Sequence, residues 1–339
     1  MLFWRAAVYL RGGLARRGRT LPPREPPVQT SQPEDPPMPA SDAATTRFRH
    51  ELRWRSYGAS QAYLDPELQA VWFRAREDAP PRMTPQLLED VMSLARDLRG
   101  LLEDGGRELR FVITASDVPG VYSLGGDLEL FVDLIRARDR EGLTAYAERC
   151  VEAVHALATG FGLGLTTVAL VQGAALGGGF EAALACRTIV AERQAAFGFP
   201  EPLFGLFPGM GAYTFLRPRV GPVLARRMMV DGVQRSAERL HEMGIVDLLA
   251  GEGEGEETLA RHIREHLRHP GLFEALERIA ARHEPVDPEE LHEIAMLWVD
   301  TALALGEREL RTMERLLRAQ ARRGPKARSA SAGRVGHAA

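Results

Sequence analysis

Apolar residues recur along this chain in two rhythms. Phe48 to Tyr57 and Leu68 to Arg76 alternate as strands do, with Ala70-Val71-Trp72-Phe73 the plainest stretch. From Thr84 the period becomes helical. Leu87, Leu88, Val91, Leu94, Ala95 and Leu98 form one stripe behind a threonine cap and a proline in the first turn. Leu109 to Thr114, Thr166 to Val171 and Thr188 to Ala191 are predicted strands. Leu128 to Arg138, Tyr146 to Thr159, Ala212 to Leu216 and Val223 to Val230 are predicted helices. Ser236-Ala237-Glu238 caps a further helix that stops before Gly244. From Glu257 the pattern stays helical, ending in a long amphipathic run from Pro288 to Arg323 interrupted at Gly306.

The ends follow neither rhythm. Met1 to Arg19 is arginine-rich and free of acids, and Thr20 to Pro39 is crowded with proline. A targeting segment or amphipathic anchor would begin this way. The proline content favours a disordered extension, or a true start at Met38, because such a composition cannot bury enough surface to order itself. Gly324 to Ala339 is small and basic and reads as a disordered tail. The expected organisation is an extension over 1–47, an α/β core over 48–250, a helical region over 251–323 and a tail over 324–339.

Within the core one device occurs twice. Leu109 to Thr114 leads through a loop to Gly125-Gly126 and a helix start, and Thr166 to Val171 leads to Gly177-Gly178-Gly179 and another. A strand that turns through glycines into a helix leaves backbone N–H groups unpaired at the helix start. Two such turns brought together would supply two donors to one oxygen. Beside the second turn, Glu181 stands alone in an alanine-rich apolar stretch, with no partner evident in the sequence. Glu201 comes later, between two prolines. A pair of carboxylates next to an oxyanion hole is acid–base machinery. The plainer alternatives are tight turns, a loop carboxylate at Glu201 and a partner for a buried arginine at Glu181.

Composition narrows the class. A chain of 339 residues with 45% hydrophobic content and a net charge of -3 is an ordinary globular protein, not a dedicated nucleic-acid binder. Among 43 basic residues only Lys326 is lysine, which reads as coding bias. Cys150 and Cys186 suit a reducing compartment, so a cytoplasmic location is expected. No apolar run is long enough to predict a membrane span. Gly160 to Gly164 precedes its strand and is no dinucleotide loop, and Gly177 to Gly179 lacks the lysine of a phosphate loop. The nine histidines show no metal spacing, so neither metal nor cofactor is expected.

Four spaced motifs together carry a resemblance. Ser123-Leu124-Gly125-Gly126-Asp127, Ala175-Leu176-Gly177-Gly178-Gly179-Phe180-Glu181, Pro200-Glu201 and Phe207-Pro208-Gly209-Met210-Gly211-Ala212 resemble the crotonase (enoyl-CoA hydratase) superfamily. From Leu124 to Arg323, details such as Trp298-Val299-Asp300-Thr301-Ala302 are most similar to the diffusible signal factor synthases, which make cis-2-unsaturated fatty acid signals for quorum sensing. The resemblance covers about residues 45–325. It implies an α/β crotonase fold, a spiral of ββα repeats with a C-terminal helical region. It implies that the N–H groups of Gly126 and Gly178 form the oxyanion hole, and that Glu181 and Glu201 are the catalytic pair. Which glutamate is acid and which base is not encoded in their spacing. It places Met210, Trp298 and Leu316 along the alkyl chain, although Trp298 in the stripe with Leu291, Ile294 and Ala295 suits plain core equally well. The implied activity dehydrates a 3-hydroxyacyl thioester and hydrolyses it to a free acid; the alternative is an enoyl-CoA hydratase of fatty-acid degradation. The implied partners are an acyl carrier protein- or CoA-linked substrate, a sensor-kinase receiver domain, and further copies of the chain in a homotrimer or hexamer, with the 288–323 helices at the contact.

Overall fold

In the computed structural model, residues 52–103 and 108–321 are described, and the 1–47 extension and the 324–339 tail lie outside them. The chain opens on three antiparallel strands, β1 (Leu52–Ser56), β2 (Ser60–Asp65) and β3 (Ala70–Ala75), followed by α1 (Pro85–Glu103). Then a unit repeats three times: a long strand, a three-residue strand and a helix. The first is β4 (Phe111–Ser116), β5 (Val121–Ser123) and α2 (Leu128–Ala137), with α3 (Arg140–Ala158) appended. The second is β6 (Thr166–Val171), β7 (Ala174–Leu176) and α4 (Gly178–Ala185). The third is β8 (Thr188–Glu192), β9 (Ala196–Gly198) and, after a 3₁₀ turn at Glu201–Phe204, α5 (Ala212–Val230). This is the spiral of ββα repeats expected from the sequence.

The chain continues through β10 (Arg235–Ser236), α6 (Ala237–Glu242), β11 (Leu248–Ala250), α7 (Gly255–Arg268), α8 (Pro270–His283), α9 (Pro288–Leu303) and α10 (Glu307–Ala321). The long strands form one sheet in the order β1-β2-β3-β4-β6-β8-β11, parallel from β3 onwards. The short strands form a second, β10-β9-β7-β5, in which β5, β7 and β9 are parallel.

Side chains alternate across the large sheet because successive strand residues point to opposite faces. Val71, Phe73, Val112, Ala169 and Ile189 join the main core. Trp72, Ile113, Val168 and Val190 point the other way, onto Leu259, Ala260 and Ile263 of α7. On the main-core side α9 lies along α3 and presents Leu291, Ala295, Trp298, Val299 and Ala302 as a buried stripe, while α10 crosses α2 and the 3₁₀ turn. Arg136 of α2 ties α10 down through Glu307 and Glu314.

Several boundaries differ from the sequence-based expectation for local reasons. The strand expected from Leu68 begins at Ala70, because Asp65 caps the Leu68 N–H at 3.0 Å and Gln69 turns at φ 49°. The strand expected over Leu109 to Thr114 is shifted to Phe111–Ser116. The two helices expected between Ala212 and Val230 form one element that kinks at Gly221, where φ is 78° between Pro218 and Pro222. The long run from Pro288 divides at Gly306 into α9 and α10.

Candidate active site

Neighbouring parallel strands end at the same edge of their sheet. The short sheet therefore gathers the turns at the ends of β5, β7 and β9, which carry Gly125-Gly126, Gly177-Gly178 and Glu201. They meet over a cavity of about 250 Å³. Gly126, Gly178, Glu181, Glu201, Met210, Trp298 and Leu316 all line it.

The direction of the Gly126 N–H is set by its peptide plane. The Gly125 carbonyl accepts from the Met83 N–H at 2.8 Å. All peptides here are trans, and in a trans peptide the next N–H points opposite to that carbonyl. The Gly126 N–H thus turns towards the cavity and has no acceptor among the described residues. Gly178 is the first residue of α4, so its N–H has no acceptor within the helix. A Cβ on Gly178 would lie 3.6 Å from the Gly126 nitrogen and 2.7 Å from the Met210 sulfur, so the two amides share a space that a side chain would fill. Gly177, at φ 51°, holds a backbone conformation that L side chains rarely adopt. A Cβ there would also overlap the Glu201 carboxylate.

Glu181 sits one turn inside α4 and is 1% exposed. Its Oε1 accepts the Met210 N–H at 2.7 Å and the Ala212 N–H at 2.9 Å, at the start of α5. The sequence shows no partner for Glu181; the fold supplies two, both from backbone. Burial pushes its pKa up to about 7, against the pull of those two donors. Glu201 lies in the first turn of the 3₁₀ segment, and its Oε2 is sealed from solvent without a partner among the described residues. Burial, and then the charge of Glu181, push its pKa up to about 8. The two carboxyls thus repel each other's ionisation, and Glu201 has the weaker support for a charge.

Stability responds to pH with a definite sign. A carboxyl whose folded pKa lies above its ordinary value near 4.5 stabilises the fold while protonated, and that contribution is lost as the pH rises through about 7 and 8. Glu201→Gln removes the loss. By scanning calorimetry it should melt close to wild type at pH 5 and about 2 °C or more above it at pH 9. A gap that does not change with pH would refute the shift.

The rest of the cavity wall is apolar. Trp298 is 7% exposed and packs at 4.9 Å on Phe131, which meets Tyr146 edge-on at 5.0 Å. Trp298 belongs to the buried stripe of α9 and also lines the cavity. Phe131, Tyr146, Cys150 and Ala295 also line the cavity, and no motif in the sequence assigns them to the site. The available signal is slight, a hydroxyl and a thiol inside apolar stripes. Among the described residues there is no cluster of ligands for a metal ion and no helix long and apolar enough to cross a membrane.

Comparison with known proteins agrees with this fold. The chain overlays human mitochondrial delta3-delta2-enoyl-CoA isomerase with a TM-score of 0.63 at 18% identity, covering 78% of this chain and 99% of that one. An enoyl-CoA hydratase from Bacillus anthracis gives 0.57 at 19% identity over 74% and 93%. DspI from Pseudomonas aeruginosa gives 0.55 at 24% identity over 73% and 96%. At such identities the likeness concerns the fold. Membership comes from the sequence itself: residues 92–302, more than half of the chain, match the model of the enoyl-CoA hydratase/isomerase family, and this chain belongs to that family.

Proposed function

We propose that the protein removes water from a 3-hydroxyacyl thioester, carried on acyl carrier protein, to give a cis-2-enoyl thioester. It then hydrolyses the thioester and releases a free unsaturated fatty acid that serves as a quorum-sensing signal. The observation that carries this reading is that buried Glu181, half-buried Glu201 with its sealed Oε2, and the Gly126 and Gly178 N–H groups, which have no acceptor among the described residues, share one apolar cavity.

Loss of the α-proton places negative charge on the thioester oxygen. The Gly126 and Gly178 amides are its donors, each contributing about 3 kcal/mol to lowering the barrier. One carboxyl accepts the α-proton while the other protonates the departing β-hydroxyl, so the pair must carry one proton between them. The raised pKa values of Glu181 and Glu201 meet that requirement near neutral pH. In the second step water attacks the carbonyl carbon, the same amides take the charge of the tetrahedral oxygen, and the carrier thiol leaves with a proton. Met210, Trp298 and Leu316 wall the alkyl chain. A receiver domain of a sensor kinase and further copies of the chain are the partners that go with this reading.

The test offers a medium-chain 3-hydroxyacyl thioester on acyl carrier protein and on CoA, with mass spectrometry following enoyl thioester and free acid. Both products are expected. Dehydration without free acid would assign the protein to the hydratases of fatty-acid degradation, and no dehydration would sink both readings.

A further inference from the structure

We infer that Tyr146 is a positioning residue for the oxyanion hole, acting through its hydroxyl on the loop that carries Gly126. The inference rests on the function proposed above. Gly126 reaches the cavity from a loop whose local bonds, from the Gly125 N–H to Ser123 Oγ at 3.3 Å and from the Leu128 N–H to the Gly126 carbonyl at 3.0 Å, leave the peptide plane between Gly125 and Gly126 to be held by other segments. Position comes from outside, through Met83. A single β-bridge joins Met83 to Gly126, and the Met83 N–H holds the Gly125 carbonyl at 2.8 Å. That bond turns the Gly126 N–H inward only while Met83 is itself in place.

Tyr146 holds it there. From α3 its hydroxyl donates to the Met83 carbonyl at 2.7 Å and accepts the Asp127 N–H at 3.3 Å. The ring of contacts then closes: Tyr146 to Met83, Met83 to Gly125, and along the chain through Gly126 to Asp127 and back to Tyr146. Both peptide planes flanking Gly126 are pinned, one by Met83 and the other by Tyr146 together with the Leu128 N–H, which the Gly126 carbonyl accepts at 3.0 Å. Tyr146 is buried, 6% exposed, and lines the cavity. Burial holds its pKa well above the ordinary tyrosine value, so it stays a neutral donor and acceptor throughout the working range. Its ring has a separate task, packing edge-on against Phe131, whose own ring lies where a Cβ on Gly126 would be. The hydroxyl thus joins the segment before α1 to the loop between β5 and α2, with one bond to Met83 and one to Asp127.

Tyr146→Phe separates these tasks, since the ring and its packing remain. The fold is expected to persist with a modestly lower melting temperature. Displacing one oxyanion donor by a fraction of its hydrogen-bond length should lower kcat about tenfold or more, because removing such a donor outright costs about 10²–10³-fold. KM should change less than about threefold, and the pH profile should stay where it is, because neither glutamate is touched. The decisive readout is the carbonyl stretch of octanoyl-CoA carrying carbon-13 at the carbonyl, bound to the enzyme. Wild type should shift it to lower frequency relative to solution, and Tyr146→Phe should return much of that shift. A variant that melts lower yet polarises the carbonyl and turns over like wild type would overturn the inference while leaving the proposed function standing. A wild-type enzyme that neither polarises the carbonyl nor dehydrates the substrate would overturn both.

Discussion

Glu181→Gln and Glu201→Gln are each expected to abolish dehydration, lowering kcat by about 10³-fold. Each keeps the shape of its side chain but removes the titrating proton. In Glu181→Gln the amide oxygen can still accept the Met210 and Ala212 N–H groups that Glu181 Oε1 accepts, so at neutral pH the melting temperature should move little. The double substitution should be hardly worse than either single one, since both groups serve one transition state and their losses do not add. The pair is also electrostatically linked. The Glu181 charge is one cause of the raised Glu201 pKa, so Glu181→Gln should lower the pKa of Glu201, read from the carboxyl band by infrared titration. Assays on a medium-chain 3-hydroxyacyl thioester give the rates. Near wild-type dehydration by either variant would remove the mechanism. Hydrolysis of an already unsaturated thioester leans on the oxyanion donors, so it should survive in part.

Much of this site is visible in the sequence because its residues are out of place locally. Glycine pairs after apolar runs mark turns where a Cβ cannot fit, as at Gly125 and Gly177. A lone glutamate in an alanine-rich helix, as at position 181, stands against its surroundings. The structure gathers both glutamates and both amides around one cavity. The hidden part of the site involves groups without identity in the sequence. The partners of Glu181 are backbone N–H groups, which every residue but proline carries. The strands that align the three turns, β5, β7 and β9, are three residues each, too short to show a period. Tyr146 lies 19 positions beyond Asp127, on a helix whose stripe looks like ordinary core.

Trp298→Ala is expected to have the largest effect on stability, because the indole supports two parts of the site at once. It packs on Phe131, whose ring lies against Gly126. It also lies against Gly209, where a Cβ would come within 2.6 Å of its ring, in the loop whose next N–H holds Glu181. Truncating a buried tryptophan costs about 3–5 kcal/mol, and the vacated volume would open into the existing cavity. Urea unfolding should therefore show that loss, with the fold retained. Activity should fall on medium chains, because Phe131 and the Gly209 loop lose their common support. Preference among chain lengths should move towards longer or bulkier acyl groups, which can fill the new space. Trp298→Phe keeps an aromatic contact with Phe131 and should recover most of the stability but less of the original chain preference. The measurement is unfolding free energy together with the distribution of free acids released from a mixture of chain lengths. If Trp298→Ala left both unchanged, Trp298 would be neither a pocket wall nor a support for Phe131 and Gly209.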